Sequence, residues 1–138
     1  MEKRSAITGV LAAAATVVAS TLVMSSPAQA AYVCAANEVC LYQDWGLHGS
    51  VKVFRDLTPG NGILEFRNYS YTNGANLNDS VSSIYNRSGY TVVVWEDGDY
   101  NLTNPTRKSM RIKPGQALDF NSTTVMPNDM ISSISMQK

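Results

Sequence analysis

Two six-residue segments carry most of the chemistry visible in this 138-residue chain: Asn78-Asp79-Ser80-Val81-Ser82-Ser83 and Asn128-Asp129-Met130-Ile131-Ser132-Ser133. Each packs amide, carboxylate and hydroxyl oxygens into a short stretch without a thiol or imidazole. That donor set suits Ca²⁺, which takes about six to eight oxygens and accepts carbonyls and hydroxyls beside carboxylates. The same residues have a second reading. Asn and Asp side chains also bond to nearby backbone and order a loop with no ion present. Few carboxylates lie nearby, so calcium affinity should be weak, about 10⁻⁴ M as in extracellular modules.

Other chemistries have less to work with. His48 is the one histidine, and it lies between glycines in a presumed turn, with no nucleophile motif around it. A carboxylate pair for glycoside hydrolysis remains open on sequence alone, but the acids fall in turns and loops where calcium or solvation accounts for them. Asp97-Gly98-Asp99-Tyr100-Asn101 begins like an EF-hand loop, yet Leu102 replaces the required glycine and Lys108 the closing glutamate. The expectation is that the chain is not an enzyme. Cys34 and Cys40 with a single distant histidine do not make a zinc site. In an oxidising compartment two cysteines six apart pair instead. The short loop so closed contributes about 2 kcal/mol.

The compartment follows from the first thirty residues. Glu2-Lys3-Arg4 is a charged start, Ala6–Met24 an apolar run, and Ala28-Gln29-Ala30 a cleavage box. This is the pattern of a signal peptide over residues 1–30, leaving a secreted domain over 31–138 with no membrane segment. The full chain has 11 basic and 11 acidic residues, and 16% of its residues are charged. Such a balance excludes a basic nucleic-acid surface.

The elements that must position the oxygens come in two copies. Tyr42 aligns with Trp95, Leu57-Thr58-Pro59-Gly60 with Ile112-Lys113-Pro114-Gly115, Ile63–Phe66 with Ala117–Phe120, and the two Asn-Asp segments with each other. The order is kept and the offset drifts by a few residues, which marks an internal repeat, about 31–88 and 89–138. Each copy reads as four short strands. Glu38–Tyr42 and Tyr90–Trp95 are β-branched or aromatic, and Val51–Phe54, Ser109–Ile112, Leu64–Phe66 and Leu118–Phe120 alternate. The last begins at Ser82 or Ile131. Pro59-Gly60 and Pro114-Gly115 suit type II turns. The fold class is all-β.

An aromatic-led hairpin followed by Asn-Asp-x-x-Ser-Ser resembles the βγ-crystallin Greek key. The first copy reads Tyr42-Gln43-Asp44-Trp45-Gly46-Leu47-His48-Gly49, with Leu47 at the second aromatic position. The second reads Trp95-Glu96-Asp97-Gly98-Asp99-Tyr100-Asn101-Leu102, with Leu102 at the glycine position. The resemblance implies two Greek keys in a β-sandwich. It also implies two calcium sites. One would use the Ser80 carbonyl and Ser82 hydroxyl beside Asp79, and the other the Met130 carbonyl and Ser132 hydroxyl beside Asp129. Each would take oxygens from the opposite copy's hairpin: Glu96 or Asp97 for the first, Gln43 or Asp44 for the second. The mature start, Cys34-x5-Cys40-Leu41-Tyr42, further resembles the streptomycete metalloproteinase-inhibitor family, although a single disulfide is possible here. That likeness implies a small, secreted, monomeric inhibitor whose partner is an extracellular protease. The long loop Asn68–Ala75, with Tyr69 and Tyr71 as aromatic anchors, is the candidate contact; its alternative is a mobile polar loop.

Overall fold

A computed structural model describes residues 30–121 and 123–138. The expected signal peptide therefore lies outside the described residues, apart from Ala30. The β-branched and aromatic runs form strands as read. The first copy supplies β1 (Val39–Asp44), β2 (His48–Phe54), β3 (Gly62–Ile63) and β4 (Ser83–Asn86). The second supplies β5 (Val92–Trp95), β6 (Ser109–Ile112), β7 (Ala117–Asp119) and β8 (Ser133–Met136). They form two antiparallel four-stranded sheets, ordered β2-β1-β4-β7 and β3-β8-β5-β6. The third strand of each copy has crossed to the other copy's sheet. Each sheet is completed by its partner, giving a β-sandwich of two interlocked Greek keys.

The turns feeding the crossing strands are alike. Asn61 N–H donates to the Thr58 carbonyl at 2.8 Å and Gln116 N–H to the Lys113 carbonyl at 3.0 Å. The glycines inside them, Gly60 and Gly115, sit at φ +84° and +74°, a left-handed region that a side chain would strain.

Between the sheets lies one core. Leu41, Phe54 and Ile84 meet Val94, Ile112 and Ile134, with Phe66 and Phe120 at matching places in the two copies. A smaller apolar cluster covers the outer face of the first sheet. There Cys34, bonded to Cys40, and Tyr32 fold the N-terminal segment over Tyr42 and Val51. The Tyr42 hydroxyl donates to the Tyr32 carbonyl at 2.9 Å.

Two local readings need correction. Leu64–Phe66 does not continue as strand: β3 ends at Ile63, and Phe66–Asn68 form a 3₁₀ turn that drops Phe66 into the core. A two-residue strand satisfies the backbone pairing available there, since β8 offers only Ile134 and Ser135 as partners. The second hairpin also lacks its glycine without losing its fold. It bends instead through Asp99, Tyr100 and Asn101, all at left-handed φ. Asn101 is buried and locks the bend, accepting from Asp97 N–H at 2.8 Å and donating to the Lys108 carbonyl at 2.9 Å. Asn and Asp are the non-glycine residues that tolerate this region best.

Candidate functional site

The two Asn-Asp segments meet back to back where the Greek keys interlock. Asp79 N–H donates to the Ile131 carbonyl (3.1 Å) and Asp129 N–H to the Val81 carbonyl (3.4 Å). Both aspartates adopt left-handed φ, 50° and 56°. Each preceding asparagine donates its amide to its neighbour's carboxylate, at 2.7 Å from Asn78 and 2.8 Å from Asn128. Asp79 thereby reaches the second copy's Ser132, and Asp129 lies near both Asp79 and the first copy's Tyr71.

Two clefts result. In the first, Ser82 N–H donates to the Tyr42 carbonyl (3.0 Å) and the Ser83 hydroxyl to the Asp44 carbonyl (2.6 Å). Gln43 and Asp44 therefore stand beside Ser82. In the second, Ser132 N–H donates to the Trp95 carbonyl (2.9 Å) and the Ser133 hydroxyl to the Asp97 carbonyl (2.7 Å). A cavity of about 320 Å³ there is lined by Asp79, Glu96, Asp97, Arg107, Asp129, Met130 and Ser132. The Ser132 hydroxyl reaches Asp79 across the copies at 3.0 Å.

This geometry reverses one expectation. Each serine pair sits with its own copy's hairpin, because β4 and β8 pair directly with β1 and β5. What the opposite copy contributes to the second cleft is Asp79. Glu96 and Asp97 belong with Met130 and Ser132, and Gln43 and Asp44 with Ser80 and Ser82.

The electrostatics suit a cation. Asp129 has its pKa raised, first by burial and then by the charge of Asp79. The side-chain oxygens of Asn78 and Asn128 are buried with no hydrogen-bond donor among the described residues. An unsatisfied buried acceptor costs about 1–3 kcal/mol, and here the same cost recurs at both equivalent positions. Carbonyls, hydroxyls, amide oxygens and repelling carboxylates are the ligands a hard divalent ion takes. The residues fit Ca²⁺. They do not make a dense carboxylate cage.

Cys34, Glu38 and Cys40 are also close enough together to share a metal. The two sulfurs are bonded to each other, so neither is a thiolate. Glu38 is occupied otherwise, by Arg55 at 2.8 Å, the Tyr32 hydroxyl at 2.9 Å and Ala35 N–H at 2.8 Å. Its burial would raise its pKa, but these partners outweigh that and lower it.

Tyr71 is buried and Tyr69 is half-buried. Tyr71 is 3% exposed, and its hydroxyl donates to the Ser80 carbonyl at 2.9 Å. Burial, with the charges of Asp129 and Asp44 nearby, pushes its pKa up to about 12. Tyr69 packs edge-on against Phe54 with Lys52 over its ring. The two aromatics hold the start of the loop, and Tyr71 N–H donates to the Ala75 carbonyl at 2.9 Å to close its far end.

Two features escaped the sequence reading. Arg107 bridges Glu96 (2.9 Å) and Asp97 (3.4 Å). The hairpin register would have found it, since Trp95 opposite Ser109 sets Asp97 opposite Arg107. Trp45, at the tip of the first hairpin, is 58% exposed; only its place in a Gly-rich turn hinted at that.

The architecture is shared with solved proteins. A βγ-crystallin from Ciona intestinalis is 23% identical, covers 72% of this chain and 99% of its own, and gives a TM-score of 0.54. Spherulin 3a from Physarum polycephalum is 23% identical over 78% and 89% of the two chains, with a TM-score of 0.52. A βγ-crystallin domain bearing on the evolution of the eye-lens fold is 24% identical over 76% and 89%, with a TM-score of 0.58. These likenesses establish the fold. Among curated proteins nothing matches. Among the described residues no helix is long and apolar enough to cross a membrane. The sequence pattern of peptidase inhibitor family I36 matches residues 27–108, from before the disulfide to the end of the β5–β6 connection. This interlocked pair of Greek keys therefore belongs to peptidase inhibitor family I36, a family of inhibitors and not of enzymes.

Proposed function

We propose that the protein is a secreted, monomeric inhibitor of an extracellular metallopeptidase, acting by occupying the protease and not by chemistry of its own. The observation that carries this reading is the family match over residues 27–108. The Cys34–Cys40 disulfide supports an oxidising compartment, and the charged, apolar and Ala-x-Ala pattern of residues 1–30 supports export.

The contact surface is the turn Asp44–His48, in place of the tyrosine loop. Its Trp45 is exposed on a backbone that is held from three sides. Gly46 N–H donates to Asp119 at 2.7 Å, Leu47 N–H to the Ser83 hydroxyl at 3.1 Å, and that hydroxyl to the Asp44 carbonyl. A rigid turn presenting a tryptophan loses little entropy on docking, and tryptophan is enriched among residues that dominate interface energy. The test is a titration of a thermolysin-like protease in constant excess calcium, since such an enzyme needs calcium itself. Loss of activity to a one-to-one endpoint is expected, with Trp45→Ala weakening inhibition at least about tenfold, the effect of roughly 1.4 kcal/mol. Its melting temperature should stay unchanged. Full protease activity at large molar excess would remove this target class.

A second reading, calcium binding, has its own support in the unpartnered Asn78 and Asn128 oxygens and the facing aspartates. Ser80 and Ser82 with Asp129 would hold one ion, and Met130 and Ser132 with Asp79 another. They would supply charge balance between the copies. Calcium at about a hundred times its dissociation constant adds roughly 2.7 kcal/mol, on the order of ten degrees in melting temperature for a domain this size. An identical melt in EDTA and in ten-millimolar calcium would end this reading.

A further inference from the structure

The two clefts are built alike, but one already contains a positive charge. In the second, Arg107 Nη1 lies 2.9 Å from Glu96 Oε1 and its Nε 3.4 Å from Asp97 Oδ2. Glu96 is buried, and its other oxygen accepts from Lys108 N–H at 2.8 Å. The guanidinium therefore neutralises the carboxylates that a divalent ion would need there. In the first cleft, among the described residues, no arginine, lysine or histidine pairs with Asp44 or Asp129. Asn128 keeps a buried, unpartnered oxygen beside Asp129.

The difference is built into the hairpins. Residues 45–47 join β1 to β2, whereas the longer stretch 96–108 joins β5 to β6. Counting back from the cross-strand pairs Tyr42–Val51 and Trp95–Ser109, Arg107 falls level with Gly49, which a bulge displaces so that Asp44 pairs with His48. Gly49 has φ +75°, and a Cβ there would collide with the Asp44 carboxylate, its Cγ at 2.8 Å. The first hairpin thus has no room for a side chain where the second places its arginine. The extension that carries Arg107 is held by buried Asn101, through Asp97 N–H and the Lys108 carbonyl.

We propose that Arg107 is a tethered cation that closes the second cleft, so that the chain holds one exchangeable calcium ion, in the first cleft between Asp44, Ser80, Ser82 and Asp129. The proposal rests on the calcium reading above. Guanidinium stays charged at all accessible pH and fits carboxylates in a fixed fork. A calcium ion entering the second cleft must displace it from a buried glutamate that it already neutralises.

Calorimetric titration of the purified protein with calcium chloride tests this. The wild type should bind one ion. Arg107→Ala should bind two, and Asp129→Asn none, with melting in EDTA confirming that each variant is folded. Two ions on the wild type would overturn the role of Arg107 while leaving calcium binding intact. No binding by either the wild type or Arg107→Ala would overturn the calcium reading itself. Should Arg107→Ala fail to fold, Asp129→Asn and Asp79→Asn decide the matter. Loss of binding with the first and retention of one ion with the second supports a single first-cleft site. Loss of half the sites with each refutes it.

Discussion

Tyr71 gives the most direct test of how the first cleft is built. Its ring is buried in the core, its hydroxyl donates to the Ser80 carbonyl, and its pKa stands at about 12 against an ordinary value of 10.0. A raised pKa means that the folded protein holds the proton more tightly than the unfolded chain. Stability from this group is therefore fully present below about pH 10 and is lost as pH rises toward 12. The linkage relation puts the loss at about 1.4 kcal/mol by pH 11, half of the full effect. Tyr71→Phe removes the proton and the hydrogen bond together. At pH 9 the variant should be less stable by about 1 kcal/mol, the net worth of one hydrogen bond. At pH 11 that gap should close or invert, because only the wild type carries the phenolate penalty. Urea unfolding of both proteins at pH 9 and pH 11, followed by far-ultraviolet circular dichroism, measures the two gaps. Tyr42 and Tyr100 are also shifted upward, but they are common to both proteins and cancel in the difference. A gap independent of pH would refute the reasoning, since it would mean that the hydroxyl titrates as freely folded as unfolded.

The N-terminal cover supplies two further tests. Replacing Cys34 and Cys40 with alanine should cost about 2 kcal/mol by the loop-closure argument, read as a melting temperature lower by roughly ten degrees, while the strand signal in circular dichroism persists. A drop indistinguishable from zero would mean that the segment is held by Tyr32 and Glu38 alone. Glu38 has its pKa lowered by its partners, so its contribution is present above its ordinary value of 4.5 and is lost as pH falls below it. Between about pH 5 and pH 3 the wild type should lose stability faster than Glu38→Gln; parallel losses would show that the Arg55 and Tyr32 contacts do not favour the ionised carboxylate.

What the sequence disclosed and what it hid divide along physical lines. The strands were legible because Val92-Val93-Val94-Trp95 and Val39-Cys40-Leu41-Tyr42 are runs that pair well on a pleated sheet, and the paired turns at Gly60 and Gly115 because Pro-Gly fixes both dihedrals. The doubled Asn-Asp segment disclosed the two Greek keys and the oxygen-rich clefts. Which hairpin serves which cleft was not legible, because it depends on β4 and β8 pairing with β1 and β5 while β3 and β7 change sheets. No local propensity encodes that exchange. Tyr71 misled for a related reason. An aromatic in a polar loop reads as an exposed anchor, but here the loop closes over Phe54 and Phe66, and the same ring becomes core. Arg107 was hidden by the length of its hairpin, since a charge at residue 107 faces residue 97 only once the register is known.

The exchange of third strands also explains why the clefts lie where they do. A Greek key that gives its third strand away leaves its fourth strand partnered by a strand from the other copy, as β4 is by β7 and β8 by β3. The segment leading into that fourth strand, Asn78–Ser82 or Asn128–Ser132, is then drawn to the seam between copies. There its backbone is satisfied across the seam, by the Ile131 and Val81 carbonyls. Two aspartates arrive at one place as a consequence, and their repulsion is the cost of the interlock. The chain answers that cost differently on its two sides. On one, Arg107 supplies a permanent positive charge through a lengthened hairpin. On the other, a glycine keeps the space clear, and the balance is left to whatever cation the surroundings provide. A substitution that sets a basic side chain into the first cleft should therefore do what calcium does there: raise the melting temperature in EDTA and abolish the further rise on adding calcium. Gly49 is closed to this by its backbone, but Gln43 lies beside Ser82 and is half-buried at the cleft edge. Gln43→Lys is the variant to melt. If it gains nothing in EDTA and still responds to calcium as the wild type does, the two sides are not balanced by charge, and the account of the seam fails.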